Sequence, residues 1–233
     1  MRDIYNDQTY LRVNPTWGAE DAPFKAGLIL DLLRRQPLEL STVAEVGCGS
    51  GEVLAVLARQ LPETVTFTGY DVSADALSLA EPKSGPRLQF ERRDVVTSGP
   101  RRHFDLVLVL DVLEHVENYF ALLDAVEAMS RWTIFHIPLD LSVWSLFREQ
   151  ILLESKARVG HIHNFTEAFI LDVLKDHGFR VVDKIYTEPS FLEITPKQRF
   201  VNAIRKALFA INQRFATKFI GGYSIMVVCE NRP

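Results

Sequence analysis

One stretch constrains this chain more than any other: VAEVGCGSGEVL, residues 43–54. The apolar run TVAEV (42–46) reads as a buried strand, and GEVLAVLARQL (51–61) reads as the helix after it. Gly47, Gly49 and Gly51 remove side chains where the backbone must turn sharply and where a ligand must come close. The N–H groups that open the following helix are unpaired and can face that ligand. A strand, a tight glycine turn and a helix in this order belong to an α/β fold with a mostly parallel sheet.

The rest of the chain continues the alternation. VTFTGYD (65–71), RLQFERRD (87–94) and FDLVLVLD (104–111) read as strands, and the last is apolar enough to be covered on both faces. WTIFHIP (132–138) is a fifth strand, ended by Pro138. FRVVDKIYTE and YSIMVVCE supply two more. Between them lie helical patterns: one capped by Ser73, one over 119–130, one over 141–155 packed by its Trp and Leu positions, and one capped by Thr166 and stopped by Gly178. The expected architecture is a Rossmann-like seven-stranded mixed sheet, six strands parallel and the last antiparallel, with helices on both faces.

Two segments fall outside that alternation. Residues 1–40 form an N-terminal cap with a helix over 22–36. Residues 196–222 form a helical insert before the last strand (223–233), and residues 41–195 are the core of a single domain. Phe200, Ile204, Leu208, Ile211 and Phe215 fall on one helical face of the insert. Its six cations, Lys197, Arg199, Arg205, Lys206, Arg214 and Lys218, have no acidic counterpart within the segment. A solvated cap helix is the plain reading; contact with a membrane surface or an anionic substrate is the sharper one.

Composition narrows the classes. The net charge of −4 gives no general attraction to nucleic acid, which is not expected as a partner. No apolar run reaches the roughly 20 residues that span a bilayer, and the first residues lack a signal-peptide pattern, so a cytoplasmic location is expected. Cys48 and Cys229 form no spacing motif and read as reduced thiols.

The glycine spacing is G-x-G-x-G, and Glu52 stands where a dinucleotide-binding loop wants its third glycine. With this loop, Asp71 in GYDVS and Asp94 in ERRDVV, the chain resembles the class I S-adenosylmethionine-dependent methyltransferases over roughly residues 40 to 187 plus the last strand. The resemblance implies that Glu45, Gly47, Cys48, Gly49 and Gly51 surround the methionine part of S-adenosyl-L-methionine. It implies that Asp71, with Val72 beside it, holds the ribose hydroxyls, and that Asp94 and Val95 meet the adenine. S-adenosyl-L-homocysteine would be the product. Asp111, after the fourth strand, completes the cofactor set. In the same family, inserts and N-terminal helices often cover the substrate.

The acceptor side is read from LDVLEHVENY and HIHNFT. The Asn/Asp-Pro-Pro-aromatic motif of enzymes that methylate nucleobase or glutamine nitrogens is absent. Asp111, Glu114 and His115 fall at i, i+3 and i+4 and would share one side if a helical turn follows the strand. Small-RNA terminal 2′-O-methyltransferases and ubiquinone-pathway O-methyltransferases carry a similar acid-x-x-Glu-His group with a later histidine, which His161 resembles. Three readings stay open. Asp111, Glu114, His115 and His161 hold a divalent metal such as magnesium; or His115 or His161 accepts a proton from a hydroxyl; or the Glu-His pair only packs against loops. His161 and His163 are two apart, so only one should face the site. His136 is expected to be a satisfied core histidine.

The expected function is methyl transfer to a small-molecule or saccharide-like acceptor, at oxygen. The rivals are a non-catalytic scaffold with this fold and an NAD-dependent oxidoreductase, against which the G-x-G-x-G spacing and the antiparallel last strand argue.

Overall fold

In a computed structural model of the chain, residues 5, 8–99, 103–188 and 196–232 are described. In chain order the elements are α1 (Thr9–Val13), α2 (Ala22–Arg35), β1 (Thr42–Val46), α3 (Glu52–Gln60), β2 (Thr66–Asp71), α4 (Ala74–Ala80), β3 (Leu88–Arg92), α5 (Val95–Ser98) and β4 (Phe104–Leu110). They continue as α6 (Tyr119–Glu127), β5 (Ser130–Leu139), α7 (Val143–Phe147), α8 (Gln150–Val159), α9 (Glu167–Asp176), β6 (Phe179–Thr187), α10 (Pro196–Ile211), α11 (Gln213–Phe219) and β7 (Tyr223–Asn231).

The sheet has seven strands in the order β3-β2-β1-β4-β5-β7-β6, and β7 runs antiparallel to both its neighbours. β4 shows why its sequence is so apolar. Val107 and Val109 face a core closed by α6 and α9, through Leu122, Leu123, Ile170 and Leu174. Leu106 and Leu108 face the other core, closed by α2 and α3 through Ile29, Leu32, Leu54 and Leu57. The predicted sheet is the observed one. The order reverses at β1 and β4, whose C-terminal ends therefore border the crevice where α/β sheets bind ligands.

Several local expectations are corrected. α2 is more than a cap: it is a full member of one sheet-covering layer. The helix over 119–130 stops at Glu127, and Ser130 already belongs to β5, where Asn231 donates to its carbonyl at 2.8 Å. Pro138 does not end β5. Pairing with β4 finishes at His136, so from there only β7 is paired, and Pro138 sits opposite Ser224.

The segment 141–155 is two helices, not one. A reciprocal Ser142–Ser145 capping box starts α7, and Arg148 leaves helical geometry at φ −132°. Most of its large apolar residues are not packed: Trp144, Leu146, Phe147 and Leu153 are all exposed. The insert also breaks, at Asn212, whose side chain caps α11 by accepting from Phe215 N at 2.9 Å. That break resets the helical phase. The predicted stripe faces out on both sides of the break, at Ile204 and Ile211 before it and Phe215 after it, while Phe209 stacks on Tyr223 at 4.6 Å and anchors the insert to the sheet. The side chains of Lys197 and Phe200, and residues 1–4, lie outside the described residues.

Candidate functional site

The glycine loop is pinned to β2. Gly47 and Cys48 donate their N–H groups to Tyr70 O at 2.8 and 3.0 Å. Asp71 Oδ2 accepts from Gly49 N, and Asp71 Oδ1 from Ser73 N, both at 2.8 Å. A carboxylate has about four acceptor positions, so Asp71 keeps acceptor capacity toward a diol. Burial pushes the Asp71 carboxyl up while those N–H groups oppose it. Two glycines have no substitute. Both have left-handed backbones; a Cβ on Gly49 would stand 2.7 Å from Trp17, and one on Gly51 2.4 Å from Phe90. The Cys48 thiol turns away toward Gly69, and burial pushes its pKa up, so only its backbone borders the loop.

Beneath the loop, Glu45 ends with one oxygen, Oε2, buried and without a hydrogen-bond partner. Burial pushes this carboxyl up to about 8, against the pull of Lys25. Lys25 comes from the first turns of α2 and meets Asp111 Oδ2 at 2.6 Å. His136 meets Asp111 Oδ1 at 2.6 Å, and its other ring nitrogen meets Thr187 Oγ1 at 2.9 Å. Burial alone would raise the Asp111 carboxyl, but His136 and Lys25 hold it well below the ordinary range. Asp111 itself sits at φ +53°, in the left-handed region. His136 is the satisfied histidine its place in a strand suggested.

The acceptor end is built from Glu114, His115 and His161, whose ligand atoms lie within 4.8 Å of one another. His161 Nδ1 meets Asp140 Oδ2 at 2.6 Å, which leaves Nε2 as the free lone pair, 4.0 Å from Glu114 Oε1. His115 Nδ1 faces Gly160 O at 3.2 Å and Tyr5 Oη at 2.9 Å; a carbonyl can only accept, so Nδ1 carries the proton. His115 Nε2 then also presents a lone pair, 3.8 Å from Glu114 Oε1. Three electron-rich atoms converge on one point. Both Glu114 oxygens are buried with no hydrogen-bond partner, and burial, with the charge of Asp111, pushes this carboxyl well up. Burial and His161 push His115 down to about 4.

Asp111 is outside this group, because Lys25 and His136 already take both its oxygens. His163 turns the other way, meeting Val116 O and packing against Tyr119. Asp94 and Val95 do not line the cleft: Asp94 accepts from Val96 N and Thr97 Oγ1 as the cap of α5, and Val95 is in the core. Lys25 and Asp140 were not anticipated; neither has a local motif.

A cleft of about 530 Å3 joins these parts, with Glu45, Gly49, Asp71 and Val72 at one end and Glu114, His115 and His161 at the other. Tyr5, Tyr10 and Trp17 form an aromatic cluster over it, with Tyr10 and Trp17 centroids 4.7 Å apart. The segment expected to cover the cofactor thus lines the cleft. A larger cavity, about 1160 Å3, is bordered by Ser130, Phe179 and Asn231. It opens at the N-terminal ends of β5 and β6, away from the glycine loop, where α/β sheets do not place their chemistry.

Residues 20–184 match a family described as a methyltransferase domain. A trans-aconitate 2-methyltransferase from Streptomyces avermitilis is 31% identical over 131 residues, which cover 51% of this chain and 46% of that protein. The chain thus spans about half the length of the curated relatives it matches. Among solved structures, magnesium protoporphyrin IX methyltransferase from Synechocystis PCC 6803 with bound S-adenosylhomocysteine superposes with TM-score 0.61 at 20% identity, over 89% of this chain and 82% of that one. The N-methyltransferase NodS from Bradyrhizobium japonicum, also with S-adenosylhomocysteine, gives 0.62 at 16%, over 97% and 99%.

Proposed function

Since this chain belongs to the methyltransferase domain family, we propose that it moves a methyl group from S-adenosyl-L-methionine to an oxygen of a small-molecule or saccharide-like acceptor. The carrying observation is one cleft with a glycine loop and Asp71 at one end and Glu114, His115 and His161 at the other. The cofactor supplies an electrophilic methyl on a positively charged sulfur. Its ammonium suits the buried, unpartnered Oε2 of Glu45, and its ribose diol suits the spare acceptor positions of Asp71. Trp17 packs over the loop at Gly49.

At the acceptor end the residues position a hydroxyl and receive its proton. Orientation alone can supply a large part of the rate. His161, with Nδ1 tied to Asp140, presents Nε2 as a proton acceptor. His115, pushed down to about 4, is neutral at pH 7 but holds a proton weakly. The buried, unpartnered oxygens of Glu114 also fit a divalent cation held with His115 and His161. Two imidazoles and a carboxylate favour a transition metal over magnesium, which prefers oxygen ligands. Such an ion would polarise the acceptor oxygen.

Titration with S-adenosylhomocysteine, followed by a methyl-transfer screen over hydroxyl, carboxylate and amine acceptors, tests the reading. Binding that Asp71→Ala abolishes, with turnover confined to hydroxyls, is the expected result. Turnover confined to amines would overturn the oxygen assignment, and no cofactor binding would overturn the whole.

A further inference from the structure

The residues between Asp140 and His161 leave the sheet at the mouth of the cleft and return to it, since their side chains meet at 2.6 Å. What they carry outward is unusual for a protein surface. Phe147 is 82% exposed, Leu153 59%, Leu146 57% and Trp144 48%. No residue of α8 is buried. The insert packs beside this segment: α11 contacts α7, and a Cβ on Gly221 would stand 2.4 Å from Ser142 Oγ. α10 and α11 add Ile204, Ile211, Phe215 and Phe219, all exposed, with Phe215 and Phe219 stacked at 4.4 Å. Single exposed apolar residues need no explanation, but a grouped set on neighbouring helices does.

The charge around this set has one sign on the insert. Lys206, Arg214 and Lys218 are exposed, and residues 196–222 contain no Asp or Glu. On α7 and α8, Arg148, Lys156 and Arg158 outnumber Glu149 and Glu154. Arg148 lies over the Trp144 ring at 5.8 Å. A second copy of this chain would bring like charges together. Apolar side chains among cations match instead the acyl boundary and anionic headgroups of a bilayer. We propose that α7, α8, α10 and α11 form a face that docks on an anionic membrane surface. Val159, at the end of α8, lines the cleft, so docking sets the acceptor entrance beside the lipid. The inference stands apart from the choice of acceptor atom above.

The test is co-sedimentation of the full chain with vesicles of phosphatidylcholine alone and of phosphatidylcholine mixed with phosphatidylglycerol. Binding to the mixed vesicles that weakens in high salt is expected. Phe147→Glu with Phe219→Glu should lower the partition by at least roughly tenfold. Lys206→Glu with Lys218→Glu should lower it comparably. Unchanged S-adenosylhomocysteine affinity in both variants shows that they fold. No binding to either vesicle, or equal binding by wild type and both variants, overturns the proposal. So does a dimer in size-exclusion that Phe147→Glu dissociates without any vesicle binding, since a second copy then covers the face.

Discussion

Replacing Glu45 by Gln should make the protein more stable and its cofactor binding weaker, and pH should separate the two effects. The Glu45 carboxyl keeps its proton until about pH 8, against an ordinary value of 4.5, because it is buried. Below the ordinary value both folded and unfolded chains are protonated, and burial then costs little. As pH rises, the unfolded chain releases its proton while the folded chain retains it, so native stability falls until the folded value is reached. Each pH unit of that interval is worth about 1.4 kcal/mol, which caps the penalty at pH 8 at about 4 to 5 kcal/mol. The attraction to Lys25 is already contained in that value, and structural relaxation brings the expected gain for Glu45→Gln to about 2 to 3 kcal/mol. Urea unfolding at pH 4 and pH 8, without cofactor, reads it directly. The variant should nearly match wild type at pH 4 and exceed it at pH 8. S-adenosylhomocysteine should bind the variant at least roughly tenfold more weakly, through loss of a charge-assisted hydrogen bond. A gain equal at both pH values would refute the linkage argument, and unchanged affinity would refute the ammonium placement.

Gly51→Ala should destabilise the protein by about 2 kcal/mol or more, because the new Cβ must displace Phe90 and hold a left-handed backbone; thermal unfolding with and without cofactor checks it. Asp140→Asn should leave cofactor affinity intact but lower kcat by roughly tenfold to a hundredfold, because His161 loses the partner that fixes its tautomer. A pH–rate profile that moves with the variant separates this from a packing defect. Manganese or zinc should bind with release of the Glu114 proton, measurable in buffers of differing ionisation enthalpy, and Glu114→Gln should abolish both binding and release. His115 should contribute to acid unfolding, since its folded value of about 4 lies below the ordinary 6.5 and the unfolded chain takes up its proton first as pH falls.

The α/β alternation, the glycine loop and Asp71 were legible in the sequence because each is a local pattern with a local cause. The pairing of Glu114 and His115 with His161 was legible through spacing and resemblance, and the alternation of His161 and His163 correctly predicted that only one would turn inward. Lys25 and Asp140 were invisible for the opposite reason. Each finds its partner across the fold, Lys25 from α2 and Asp140 from the end of β5. The misreading of 141–155 has a more general origin. Periodicity shows that a helix has an apolar face but not what that face meets, so Trp144 and Leu146 were assigned to a core that lies elsewhere. Asn212 was a legible helix cap, and reading it would have split the insert and its stripe.

The hairpin between β6 and β7 leaves the sheet at Thr187 and rejoins it at Ser224, its direct partner in register. The segment from Asp140 to His161 is likewise pinned at its ends by one hydrogen bond. In both places the chain departs from and returns to a single point, so what lies between can lengthen or be exchanged without altering the register of any strand. Doubling such a connection costs only about 0.6 kcal/mol of closure entropy. The glycine-loop half of the sheet keeps its register whatever these two connections carry, so they are sockets into which a new acceptor pocket or a new surface could be fitted.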